Sequence, residues 1–256
     1  MLYSSETSKL REMVAASPQA NDVYIVEYPK SGITWLTTMI ARLALAVSGR
    51  EDMDVTFANL RLLIPDIHLG RDIGPPVYSS PPIRFIKSHS AFNPQYAFSI
   101  YLARHPVDVA SSYFRYMTKR RYTDLTFSAF IRDRKLGVDG WNQHVTSWLG
   151  GVPRGGILHL VRYEDLVSDA AAELSAICAN LGWIVTDSML TAAVARSDAR
   201  SMAQSEELFV ARDPRYKAGF VKGGSVDISD EDRAYILERC AEGRALLGYD
   251  SQGQSE

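Results

Sequence analysis

An apolar run, Val23-Tyr24-Ile25-Val26, gives way to the basic stretch Tyr28-Pro29-Lys30-Ser31-Gly32-Ile33-Thr34-Trp35, after which Leu36, Ile40, Leu43 and Val47 recur at helical spacing. The stretch joins a strand to a helix through a tight loop. A helix that begins where a strand ends directs its free backbone N–H groups, and the positive end of its dipole, at one point in space. Lys30 adds a mobile cation there, Ser31 and Thr34 add hydroxyl donors, and Gly32 lets the backbone come close. Such a loop suits a multiply charged phosphate or sulfate. It departs from the G-x-x-x-x-G-K-[ST] pattern, because it has a single glycine and Lys30 precedes it. Taken alone, it reads equally well as an ordinary strand-to-helix connection.

The chain repeats this alternation. Ile83-Arg84-Phe85-Ile86 leads into Lys87-Ser88-His89-Ser90, Phe98 to Ala103 ends at Arg104-His105-Pro106, and Ile157 to Val161 is followed by Arg162-Tyr163. Helical patterns lie between and after these runs: Val107 to Thr118, two segments within 127–149, Asp169 to Leu181 with Ser168 as its cap, and 187–206 with a break near Ser197-Asp198. A last helix starts at Ser229, whose pairing with Asp232 reads as a capping box, and runs to Leu247. Apolar strands alternating with helices predict an α/β fold with a parallel sheet covered on both faces. Ligands of such sheets bind outside the carboxyl ends of the strands. Lys30, Lys87-Ser88-His89, Arg104 and Tyr163 all fall at those ends. A mere connector gives no reason for that gathering.

Other features bound the reading. The net charge is 28 − 30 = −2, so no broad basic surface for nucleic acid is expected and any anion site is local. Cys178 and Cys240 sit among apolar helical neighbours and read as buried reduced thiols, and no Cys/His spacing suggests a metal. No signal-peptide core and no apolar run long enough to span a membrane is present, which makes a cytoplasmic location the expectation. Residues 1–256 are expected to form a single domain, with 1–21 as a lead-in and 250–256 as a polar tail. Residues 50–82, broken by Pro65, Gly70, Gly74, Pro75, Pro76, Pro81 and Pro82, read as a long binding loop or lid. His68 within it reads as a solvated side chain, with a substrate wall as the other option. Lys119-Arg120-Arg121 reads as a solvated helix end, and Trp141, His144, Val145 and Trp148 as one core-facing seam.

With these residues in view, the chain resembles the soluble sulfotransferases that use 3′-phosphoadenosine 5′-phosphosulfate (PAPS). Tyr28 to Trp35 is similar to their 5′-phosphosulfate loop, Ile86-Lys87-Ser88-His89 to the segment with their catalytic histidine, and Arg104-His105-Pro106-Val107-Asp108-Val109-Ala110-Ser111-Ser112 to their 3′-phosphate motif. Phe220-Val221-Lys222-Gly223-Gly224-Ser225 is similar to their C-terminal phosphate loop. The resemblance implies a single-domain, P-loop-like sulfotransferase fold, PAPS as donor, its bisphosphate PAP as product, and transfer to a hydroxyl or amine without a metal. It implies His89 as general base, with an imidazole pKa near neutrality suited to the task, and Lys30 and Lys87 on the reacting groups. Lys30, Ser31, Gly32, Ile33, Thr34 and Trp35 would hold the 5′ side, and Arg104, Ser112, Lys222, Gly223 and Gly224 the 3′-phosphate. Trp35, Tyr163 and Ser197 would meet adenine. Core packing is the plain alternative for Trp35, a strand-end tyrosine for Tyr163, and a helix-surface hydroxyl for Ser112. His144 fits a structural or substrate-wall role.

The last motif departs from the family pattern, with Lys222 where arginine is usual and Gly223 where lysine is usual. The 3′-phosphate grip is then weaker, or Arg215 or Lys217 compensates. Segments 50–82, 116–140 and 203–219 are the expected home of acceptor selectivity, and their aromatics, among them Tyr78, Tyr116 and Phe209, favour a hydrophobic alcohol or phenol. Two other readings stay open: a P-loop-type kinase acting on a small molecule, and a non-catalytic nucleotide-binding protein.

Overall fold

The computed structural model describes residues 18–69, 83–150, 157–212 and 226–250. Four strands, β1 (Asp22–Glu27), β2 (Arg84–Ser88), β3 (Phe98–Ala103) and β4 (Ile157–Arg162), form one sheet in the order β2-β1-β3-β4. Every pairing is parallel, with Ile25 opposite Lys87 on one side and Ile100 on the other. All four carboxyl ends therefore lie along one edge.

Helices follow the strands: α1 (Ile33–Val47) after β1, α3 (Pro106–Lys119) after β3, and α6 (Tyr163–Asn180) after β4. Between β1 and β2 lie the short α2 (Leu60–Leu63) and a 3₁₀ turn (Ile67–Leu69), where the sequence suggested only loop. α4 (Phe127–Ile131) and α5 (Asp139–Leu149) precede β4, and α7 (Asp187–Ala195), α8 (Ala199–Arg212), α9 (Asp230–Arg239) and α10 (Ala241–Leu247) follow α6.

Alternation along β1 divides the core into two layers. Val23 and Ile25 pack with Leu36, Ile40 and Leu43 of α1 and Leu174 and Ile177 of α6, while Tyr24 and Val26 pack with Val107 and Val109 of α3 and Trp141 and Val145 of α5. Helices thus cover both faces of the sheet, as parallel pairing demands. His144 and Trp148 are buried in the second layer with Trp141 and Val145, which makes the predicted seam real. Both cysteines are buried free thiols. Among the described residues, no helix is long and apolar enough to cross a membrane.

The strands are not apolar throughout. β1 begins with Asp22 and ends with Glu27, respectively 1% and 2% exposed. Asp22 takes two hydrogen bonds from Arg84 of β2, at 2.6 and 2.8 Å. One helix start also differs from expectation. α6 begins at Tyr163, directly after β4, and Asp169 interrupts it with φ −149° and ψ 83°. The Asp169 carboxylate accepts the Ala172 N–H at 3.0 Å, so Asp169 caps the longer second part in place of Ser168. At α9 Ser229 caps the helix, its Oγ accepting the Asp232 N–H at 3.1 Å, while the Asp232 carboxylate accepts from Ser128 and Arg132 in place of completing the box.

Candidate active site

The chain leaves β1 towards β2 and leaves β3 towards β4, so the connections after these two neighbouring strands diverge. The space between their carboxyl ends is the usual ligand position of an open parallel sheet. The loop from Tyr28 to Gly32 forms one lip and Arg104-His105 the other.

The β1 lip is built tightly. Lys30 has φ 80° and Gly32 has φ 112°, so the chain turns through two left-handed residues before α1 begins. That conformation costs a lysine roughly 1 kcal/mol, and Glu27 holds it in place. One Glu27 oxygen accepts the Lys30 N–H at 3.3 Å and the other accepts the Ile33 N–H at 2.9 Å. Burial pushes Glu27 up to about 6, against the pull of Lys87, Lys30 and the loop N–H groups. The Lys30 ammonium lies 4.6 Å from the centre of the Tyr116 ring. Burial is the main cause that lowers its pKa, with Lys87 and Arg120 adding to the effect and Glu27 and the buried Glu206 of α8 opposing it.

β2 delivers Lys87 and His89 beside this lip. The Lys87 ammonium lies 3.2 Å from Asp66. Burial resists ionisation of Asp66, yet the charge of Lys87, aided by His89 and His68, holds it down to about 2. His89 Nδ1 lies 3.3 Å from the Glu27 carbonyl oxygen and 3.8 Å from its carboxylate. The His89 ring stacks on His68 at 5.6 Å, and its backbone N–H donates to His68 Nε2 at 2.8 Å. His68 is therefore 9% exposed and built into the site, which corrects the solvated-loop reading. The expected near-neutral imidazole is also corrected. Burial, then the Lys87 charge, pulls His89 down to about 3, so the ring is neutral at physiological pH and a weak base as it stands.

The β3 and β4 ends carry aromatic and guanidinium groups. Tyr163, at the head of α6, meets Trp35 edge to face at 5.9 Å, and the Arg104 guanidinium lies 4.3 Å over its ring. A Cβ at position 32 would come within 2.6 Å of Tyr163, so Gly32 is what lets the ring approach the loop. Arg104 Nε is buried and has no hydrogen-bond partner among the described residues. Such a donor is costly to leave unmade and fits an anion between the strand ends. Ser112, 7% exposed, sits two turns into α3.

Ser31 turns its hydroxyl to the Tyr28 carbonyl at 2.9 Å, and Thr34 is half-buried in the first turn of α1. Ser197 is 0% exposed and its hydroxyl donates to the Ala193 carbonyl at 2.7 Å. Lys222, Gly223 and Gly224 lie outside the described residues, as do Tyr78, Arg215 and Lys217. His144 shares a 2.9 Å hydrogen bond with the Tyr101 hydroxyl, and burial pushes its ring down to about 4, which suits a structural role. Arg120 lies 4.9 Å over the Tyr116 ring and is half-buried, so it does not read as a solvated helix end.

Sequence reasoning missed Glu27 and Asp66, and gave His68 a place at the site only as a second option. The one available signal was an acidic residue closing an apolar strand directly before a basic loop.

A parallel sheet with a basic, single-glycine loop after β1 and a second cationic loop after β3 defines an anion-binding α/β protein. Residues 20–225 match the family model described as Sulfotransferase domain, and the chain belongs to that family. It is 28% identical over 196 residues to Sulfotransferase 1A1 of Mus musculus, covering 70% of this chain and 65% of that protein. It is 27% identical over 187 residues to Sulfotransferase 4A1 of Homo sapiens, covering 68% and 64%. The chain thus spans a little less than two thirds of these relatives. Mouse sulfotransferase SULT7A1, solved with PAP, has the same fold, with a TM-score of 0.66 at 23% identity over 98% of this chain and 95% of that one. A retinol dehydratase, solved with androsterone and inactive cofactor PAP, superposes with a TM-score of 0.58 at 17% identity over 97% and 87%.

Proposed function

We propose that this chain transfers a sulfuryl group from PAPS to a hydroxyl or amine of a small molecule. The observation that carries the reading is the gathering of Lys30, His89 and Arg104 at the carboxyl ends of neighbouring strands, with an Arg104 Nε that has no partner among the described residues. Family membership and the PAP complexes of two structural neighbours support it.

The chain's residues divide the work by position. Arg104 and Ser112 hold the 3′-phosphate, and Trp35 and Tyr163 hold adenine, whereas Ser197, fully buried with its hydroxyl on the Ala193 carbonyl, is left out of the adenine contact. Ser31 to Trp35 and Lys30 hold the 5′ side. Lys222, Gly223 and Gly224 add to the 3′-phosphate grip. Bound there, the donor supplies an activated sulfuryl group and a negative charge that raises the proton affinity of His89. His89 Nε2 takes the acceptor proton as the acceptor oxygen or nitrogen bonds to sulfur and the bond from sulfur to the 5′-phosphate oxygen breaks. Lys30 stabilises charge on the departing phosphate, and Lys87, steered by Asp66, faces the transferring oxygens. Fixed cations of this kind supply most of the help that a loose, in-line transfer needs.

For the acceptor we favour a hydrophobic alcohol or phenol. Tyr116 lies directly beneath Lys30, and the neighbouring retinol dehydratase structures hold androsterone and retinol.

Thermal-shift measurements with adenosine 3′,5′-bisphosphate, and separately with ATP and magnesium, test the donor. A ligand at 100 times its Kd stabilises by about 2.7 kcal/mol, so the bisphosphate should raise Tm clearly. A shift with ATP and magnesium alone would turn the reading to a kinase. Bisphosphate binding with no transfer of labelled sulfate to any of a panel of phenols and alcohols would turn it to a binding protein.

A further inference from the structure

We infer that Glu27 is the positioning residue for His89, its carbonyl and carboxylate together holding the Nδ1–H so that Nε2 presents its lone pair to the acceptor. This rests on the reading of His89 as base. Both Glu27 groups face the same ring nitrogen, at 3.3 Å for the carbonyl and 3.8 Å for the carboxylate. The two acceptors leave Nδ1 as the protonated nitrogen, because an unprotonated Nδ1 would turn its lone pair towards two oxygens. Nε2 is then the basic atom.

Among the described residues, no other group holds the ring in this way. Asp66 also faces His89, but it is engaged by Lys87 at 3.2 Å and by the His68 N–H at 2.9 Å. His68 fixes the backbone and stacks on the ring, which sets the tilt of the imidazole and leaves its tautomer to Glu27. A proton arriving at Nε2 makes an imidazolium, and the buried Glu27 carboxylate beside Nδ1 offsets that charge. A carboxylate that orients a catalytic histidine and steadies its cation acts in this same manner in hydrolases.

Glu27 does a second thing at the same time. Its two oxygens accept the Lys30 and Ile33 N–H groups, so one side chain anchors both the anion loop and the base. Movement of the loop and reorientation of His89 are thereby linked. The charged and titratable groups that face Glu27 are Lys30 in the loop, Lys87 and His89 at the end of β2, and Tyr101 of β3; those that face His89 are Lys87, Asp66 and His68.

Two measurements test this. Long-range ¹⁵N–¹H spectra of the imidazole rings in the wild-type protein at pH 7.5 should show His89 as the Nδ1–H tautomer. A dominant Nε2–H tautomer would overturn the proposal, and this readout needs no variant to fold. In assays, Glu27→Gln should lower kcat by about 10- to 100-fold while moving the donor KM less than about threefold. Wild-type kcat/KM should fall on the acid side as Glu27, held up to about 6 by burial, takes up a proton. That limb should be missing in Glu27→Gln, because glutamine mimics the protonated acid at every pH. An unchanged limb, or a kcat within twofold of wild type, would overturn the role of Glu27. His89→Ala separates the two layers. A variant that keeps full turnover removes the base reading and this proposal together, whereas an inactive one with a failed Glu27 result removes the proposal alone.

Discussion

The two ends of β1 bury the same chemical group and treat it in opposite ways. At the amino end, Asp22 meets Arg84 in a two-pronged ion pair closed to solvent. At the carboxyl end, Glu27 is buried as deeply but, among the described residues, meets backbone N–H groups and a neutral imidazole and no ion pair as close as that with Arg84. The first carboxylate is matched and silent. The second stays under-neutralised, with its proton affinity raised. The sheet concentrates its unmatched charge at the edge where ligands of parallel sheets bind and completes its pairing at the other.

Substitutions at each end should therefore fail in different ways. The largest effect belongs to His89→Ala, which should cut kcat by about 10²- to 10⁴-fold in single-turnover assays, with little change in Tm. At the opposite end, Asp22→Ala should destabilise by about 3–5 kcal/mol in denaturant melts, because it removes the carboxylate that faces a buried guanidinium. The remaining folded protein should keep its kcat, and a loss of turnover there would erase the distinction between the two ends. Lys30→Ala should lower kcat by about 10²-fold and raise donor KM less; the reverse pattern would make the loop a binding element alone. Arg104→Ala should instead weaken adenosine 3′,5′-bisphosphate by about 10-fold in calorimetry.

The smallest effect sharpens the comparison most. Burial raises Glu27 from its ordinary 4.5 to about 6, which makes its ionised form costlier in the folded state by about 2 kcal/mol. The folded state favours the protonated form, so Glu27 adds stability below pH 4.5 that is lost as pH rises through 6. At pH 7.5, Glu27→Gln should therefore melt higher than wild type by up to about 2 kcal/mol, while at pH 4.5 the two should converge. Opposite signs for activity and stability at one residue are the mark of a site held in an unfavourable state for function.

Much of this could be read in the chain beforehand. Phe98 to Ala103 is apolar but for Ser99 and Ser229-Asp230-Glu231-Asp232 is a strong helix start, so the strand falls where expected and the last helix begins where expected, although it breaks at Cys240 between α9 and α10. The strand-end positions of Lys30, His89, Arg104 and Tyr163 follow from parallel topology alone. Glu27, Asp66 and His68 were hidden for a different reason. A charge at the end of a strand, or in a loop, ordinarily meets water. What buries these three comes from elsewhere in the chain: the turn of the Lys30 loop, and the run of Pro65-Asp66 alongside Lys87. The misplaced cap has a local cause. Ser168 and Asp169 are both good caps, and only the backbone break at Asp169 decides between them.

Gly32 carries a last consequence. The Tyr163 ring occupies the space that any side chain at 32 would need, so the two positions are bound together through shape, although 131 residues of sequence separate them. Gly32 is thus fixed twice, by its left-handed backbone and by the ring against it, so among related chains that keep an aromatic residue at the position of Tyr163 it should stay glycine, and a bare sequence would report that.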